Sequence, residues 1–90
     1  MAKIYRTDGT TSVIEPKNGN DFELQELHDI VGGYIEIVQL NERQIMVVNE
    51  EGKIHGLGYN HLATELMRDN IMTNDFIVGD VLVCNTDQVK

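Results

Sequence analysis

Apolar positions along this chain fall into two kinds of run, short clusters rich in β-branched residues and stretches where they recur every three or four residues. The changes between the two mark the elements. Residues 3–6 and 10–15 are β-branched-rich runs separated by Thr7-Asp8-Gly9, whose Asp-Gly pair is a hairpin signal, and Pro16 closes the second run. After a polar loop at 17–20, Asn20 and Glu23 have the spacing of a capping box. Leu24, Leu27, Ile30 and Val31 then fall on one helical face, and Gly32-Gly33 supplies the stop.

Residues 34–40 have the β-branched content of a strand, and Asn41-Glu42-Arg43 turns the chain back. Residues 44–48 are apolar on both faces, the pattern of a central strand, and Glu50-Glu51-Gly52 makes a tight turn into a short strand around Ile54. Asn60 is a good N-cap for a second helix, with Leu62, Ala63, Leu66 and Met67 at helical spacing and an end near Asp69-Asn70. A mobile linker precedes a last apolar strand region at 76–84, where Gly79-Asp80 marks a turn or a bulge. The order is β-β-α-β-β-β-α-β. This predicts one α+β domain over residues 1–90, two short helices covering one side of a curled, mostly antiparallel sheet.

Ninety residues give a core that is only marginally sufficient, so self-association into a homo-oligomer is expected. The hydrophobic share of 41% against 24% charged residues places the chain among folded rather than disordered proteins. No apolar run approaches the roughly 18 residues of a membrane span, and the first residues lack the apolar stretch of a secretory signal, so a soluble, cytoplasmic protein without a membrane partner is expected. The lone Cys84 offers neither an internal disulfide nor a zinc spacing. A net charge of −8 with no cluster of Lys and Arg disfavours direct nucleic-acid binding, and fits either plain solubility or docking onto a basic surface.

Against this acidic background, residues 53–68 carry Lys53 and Arg68 and only Glu65 in opposition. Gly56 and Gly58 permit positive φ, Asn60 caps the second helix, and the free N–H groups of a helix start can face an anion. Tyr59 adds a ring for stacking and Thr64 a hydroxyl one turn in. Lys53, Gly56, Gly58, Tyr59, Asn60, Thr64 and Arg68 are therefore the candidate ligand-binding residues. The alternative for the same segment is a sharp corner between strand and helix.

Other chemistry is thin. His55 and His61 flank one turn, yet no third ligand stands at a metal spacing from them, and His28 flanks a packing face. Cys84 ends a Val-Leu-Val run as a small buried hydrophobe, and the common hydrolase, nucleotidase and metalloprotease motifs are absent. No nucleophile and base can be paired. The expectation is a non-enzyme without metal or cofactor.

Val31-Gly-Gly-Tyr-Ile-Glu-Ile-Val, Asn49-Glu-Glu-Gly-Lys-Ile-His-Gly-Leu-Gly-Tyr-Asn-His-Leu-Ala-Thr and Ile77-Val-Gly-Asp-Val-Leu-Val resemble a family of short phage, plasmid and bacterial proteins catalogued as a domain of unknown function. Gly56, Asn60, Ala63 and Thr64 match its central motif, whereas Gly58 stands where that motif usually has proline. The resemblance implies an origin on a mobile element within a bacterial host cell, and carries no activity. In that setting the sequence leads to a non-catalytic, counter-defence binding protein that sequesters an anionic signal molecule, a nucleotide or cyclic nucleotide. The alternative is an acidic inhibitor that masks the basic surface of a host defence enzyme.

Overall fold

The computed structural model describes residues 2–89. Strands β1 (Ala2–Tyr5) and β2 (Thr11–Ile14) form the hairpin that the Asp-Gly signal predicts, with Asp8 accepting the backbone N–H and hydroxyl of Thr10 at the turn. Helix α1 (Leu24–Val31) follows, then strands β3 (Ile35–Gln39) and β4 (Gln44–Asn49), helix α2 (His61–Asn70), strand β5 (Val81–Asn85) and a final 3₁₀ turn at Thr86–Gln88. The strands make one sheet in the order β2-β1-β5-β4-β3, antiparallel throughout.

The α+β class is as the sequence predicts, but the helices do not share a side. Ile45 and Val47 of β4 and Leu82 and Cys84 of β5 face α1, packing with Ala2, Ile4, Phe22, Leu27 and Val31. The alternating neighbours Met46, Val48, Val81 and Val83 face α2, packing with Leu40, Ala63, Met67 and Ile77. Cross-strand register keeps the two sets separate, since Ile4 lies opposite Leu82 and Leu82 opposite Val47, while Met46 lies opposite Val83. Two central strands buried on both faces need a helix on each. The sheet is sandwiched.

Three smaller differences have local causes. The expected strand around Ile54 is a run of turns, and Ile54 is 81% exposed. A strand there would need a free edge of β4, and β3 and β5 already occupy both. The N-cap of α1 is Glu23 rather than Asn20; its N–H donates to Glu26 at 2.8 Å, while Asn18 takes the N–H groups of Asn20 and Asp21 into a preceding turn. Leu24, expected on the packing face, is consequently at the open start of the helix and exposed. The last strand begins at Val81, because Gly79 has φ +78 and breaks the run. Gly32 stops α1 in the left-handed region at φ +80, and α2 starts after Asn60 and ends at Asn70, both as the sequence predicts.

A core divided by one sheet makes each central strand serve two helices. Leu82→Ala on the α1 side and Met46→Ala on the α2 side are each expected to lower stability by about 2–5 kcal/mol, the range for truncating a fully buried large aliphatic residue. Val13→Ala on the exposed edge is expected to change it by less than about 0.5 kcal/mol. Urea unfolding monitored by circular dichroism measures all three, and a negligible effect at either buried position contradicts the two-sided packing.

Candidate functional site

The corner leading into α2 is held by pairing with the segment that leads into β5. Tyr59 bridges Val78, the Asn60 N–H donates to Ile77 O at 2.8 Å, and the Gly79 N–H donates to Gly58 O at 2.8 Å. Asn60 is fully buried beneath this pairing. Its Oδ1 accepts the Ala63 N–H at 3.0 Å, and its Nδ2 donates to Tyr5 O at 3.0 Å and Gly79 O at 2.8 Å. Thr64, also fully buried, accepts the Ile77 N–H on Oγ1 at 2.8 Å. A buried amide and hydroxyl are favourable only when hydrogen-bonded, and these bonds tie α2 to β1 and to the chain entering β5. Gly79 is required there twice over, by its positive φ and by Leu57, whose Cδ1 lies 2.9 Å from where a Cβ would stand.

Above the corner, the chain at 73–76 gathers the charged and aromatic groups. The Lys53 ammonium pairs with the Asp75 carboxylate and sits 4.2 Å from the centroid of Phe76. Arg68, reaching out from the last turn of α2, donates from Nε to Asp75 O at 3.0 Å and from Nη2 to Asn74 O at 3.2 Å. The Tyr59 and Phe76 rings lie 6.1 Å apart, 48% and 41% exposed. Beside them opens a cleft of about 230 Å³ on the α2 face of the sheet, its apolar walls including Val38, Met67 and Ile77 and its rim carrying Glu36, Glu50, Asp75 and Lys53.

Of the candidate residues, Lys53, Tyr59 and Arg68 therefore meet around one loop at the surface. Asn60 and Thr64 lie beneath them with their polar atoms turned into the fold. Gly56, at φ +68, and Gly58, beside Thr7, shape the turn and remain exposed. The Asp75 carboxyl is held below its ordinary value of 3.8, first by the Lys53 hydrogen bond and next by the Phe76 N–H that it accepts at 2.8 Å.

Elsewhere, the histidines are dispersed: His28 edges against Tyr34, His55 lies near Glu51, and His61 lies 3.2 Å from Glu65. Cys84 is fully buried and burial pushes its thiol up to about 11, so it is a poor nucleophile at neutral pH.

Asp75, Phe76, Glu36 and Glu50 complete the surface and are not among the residues that the sequence pattern indicates. For Phe76 a signal existed, since the alternation with buried Ile77 turns it outward once 76–79 is read as one extended segment. For Glu36 and Glu50 there was none, because only the sheet order brings them to one rim.

A family model described as a domain of unknown function (DUF3846) matches residues 2–90. The chain belongs to this family. No curated protein and no solved structure shows significant similarity to this DUF3846 chain. No helix among its described residues is long and apolar enough to cross a membrane.

Two outcomes follow. Asn60→Ala removes a helix cap and leaves two backbone carbonyls without their donor, so a loss of at least about 2 kcal/mol is expected, against about 1 kcal/mol for a cap alone. Thermal and urea unfolding check it; a loss of only a few tenths contradicts the latch. For Asp75, a depressed folded value means its pairing supports stability above the ordinary value near 3.8 and is lost as pH falls through the folded value. An NMR titration should place this carboxyl below the usual range, and Lys53→Met should raise it. An unchanged titration in Lys53→Met assigns the shift to another cause.

Proposed function

We propose that this chain is a non-catalytic binding protein of a mobile element, acting in the bacterial cytoplasm by docking its acidic surface onto the basic surface of a host defence enzyme and masking it. The observation that carries this reading is the excess of negative charge. Fifteen carboxylates face seven Lys and Arg in the sequence, and Lys53–Asp75 is the one Lys or Arg ion pair between described residues. Apart from Glu36, the carboxylates lie on the helices, turns and loops around the sheet, and such an excess presents a strong field, which speeds encounter with a basic partner. The cleft suits the same partner. Its carboxylate rim, apolar wall and Phe76 ring match a Lys or Arg side chain, whose aliphatic stem can lie on apolar surface while its cation meets the carboxylates and the ring.

A second reading has its own support. Two half-exposed rings, Tyr59 and Phe76, stand with Lys53 and Arg68 around one loop, an arrangement that can stack a base and attract phosphate, so sequestration of a nucleotide or cyclic nucleotide remains the competing proposal. The masking reading is preferred because Lys53 is paired with Asp75, Arg68 donates to backbone carbonyls, and Glu36 and Glu50 add two further carboxylates to the cleft.

The two readings differ in salt and in ligand. Capture from a bacterial lysate at low and high salt should recover an enzyme with a basic channel whose binding falls steeply with salt, since exposed charges are screened over about 10 Å at 0.1 M. The double substitution Glu36→Lys with Glu50→Lys should weaken that complex, and the added protein should inhibit the captured enzyme. A complex indifferent to salt, or no inhibition, overturns masking. A rise in melting temperature with a nucleotide, abolished by Arg68→Glu, would put sequestration first.

A further inference from the structure

Strand β3 is one edge of the sheet, and the hydrogen bonds around it show which of its backbone groups are free. The Glu50 N–H donates to Tyr34 O at 2.8 Å, and the Leu40 N–H donates to Gln44 O at 3.0 Å. Both pairs belong to the β3–β4 register in which Glu36 lies opposite Val48 and Val38 opposite Met46. Hydrogen-bonded and non-hydrogen-bonded pairs alternate along an antiparallel ladder, so Glu36 and Val38 bond to β4 while the N–H and C=O of Ile35, Ile37 and Gln39 point away from it. No loop or side chain among the described residues takes up those groups. The edge also lacks the usual protection, having no proline, no lysine and no bulge.

We propose that two copies of this chain pair β3 against β3, antiparallel and centred on Ile37, to form a dimer with one continuous sheet. This register satisfies the free backbone groups on both copies, because Ile37 exchanges two hydrogen bonds with Ile37 of the second copy, and Ile35 exchanges them with Gln39. It sets Ile37, 43% exposed in the single chain, against its own copy on the face that carries α1. The only charge on the strand, Glu36, falls opposite Val38 of the other copy, so no carboxylate opposes a carboxylate across the seam. The two-fold leaves α1 on one face and α2 on the other in both copies, and the sheet continues without a change of side.

The opposite edge is a poorer candidate. Strand β2 has four residues and runs directly into Glu15 and Pro16, a charge and a residue without an N–H, which are the devices that natural edges use against pairing. The expected oligomer therefore closes as a dimer and does not propagate.

The dimer seam shares Glu36 and Val38 with the rim and wall of the docking cleft, but the two associations respond oppositely to salt. Self-association brings two chains of −8 together, so added salt should strengthen it, whereas salt should weaken a complex with a basic partner. Failure of one therefore does not decide the other.

Light scattering of the purified chain at tens of micromolar tests the dimer. A mass of twice 10.2 kDa is expected, with a dissociation constant that falls as salt rises. Ile37→Lys, which keeps the edge exposed and sets two ammonium groups face to face, should weaken the dimer by about tenfold or more with an unchanged circular dichroism spectrum. Register is read separately by mild oxidation of Ile37→Cys. Opposed Cα atoms in a hydrogen-bonded pair stand about 5.5 Å apart, within disulfide reach, so a covalent dimer should form rapidly. Val13→Cys on the other edge should not cross-link. A single-chain mass at every concentration, a dimer unaffected by Ile37→Lys, or cross-linking at Val13→Cys in preference to Ile37→Cys each overturns the proposal.

Discussion

The carboxamide of Asn60 is the constraint on which the corner of this fold depends. With one oxygen and two N–H groups it holds three separate parts of the chain: the start of α2 through Ala63, the end of β1 through Tyr5, and the turn before β5 through Gly79. The bonds to Ala63 and Gly79 are buried and the one to Tyr5 partly so, and removing the side chain leaves these partners without their buried donor or acceptor. Thr64, one turn further on, repeats the arrangement on Ile77. The result is that the Ala63 N–H at the helix start is taken by the cap, and the cap itself is tied to neighbouring backbone.

That latch explains where the sequence is legible and where it is not. Capping is local: Asn60 precedes an apolar period of 3.6, and the start of α2 follows from those few residues. The donation from Asn60 to Tyr5 spans 55 positions and depends on β1 lying beside β5, which no periodicity reports. The strands show the same limit. Residues 44–48 being apolar on both faces correctly indicates a central strand, and carries the further consequence that each face needs its own cover, yet pattern alone does not say which helix goes to which face. At Ile54 a β-branched residue between turns looks like a strand, but turning back onto β4 needs an edge of that strand, and β3 and β5 occupy both.

The candidate ligand residues divide along the same line. Gly56, Gly58, Asn60 and Thr64 have the pattern of an anion site because glycines and a cap at a helix start also occur there; here Asn60 and Thr64 spend their polar atoms on the fold. Lys53, Tyr59 and Arg68 remain on the surface, joined there by Asp75 and Phe76 across a loop whose position is fixed only by tertiary packing. Electrostatics then separates the readings, since Lys53 is neutralised by Asp75 and the nearby cleft is rimmed by Glu36 and Glu50. On the proposed reading, function belongs to the outer surface of this DUF3846 domain, while Asn60 and Thr64 of its glycine-rich corner bond to the fold itself.

Native-state hydrogen exchange of the Ala63 and Ile77 amides tests this most directly. If both amides are held by the buried side chains of Asn60 and Thr64, they are expected to exchange only through global unfolding, with protection comparable to the central amides of β4 and β5 and unaffected by phosphate or nucleotides beyond any change in overall stability. Fast exchange of these two amides in the free protein, slowed selectively when an anion is added, would show an open helix start awaiting a ligand and would contradict the account.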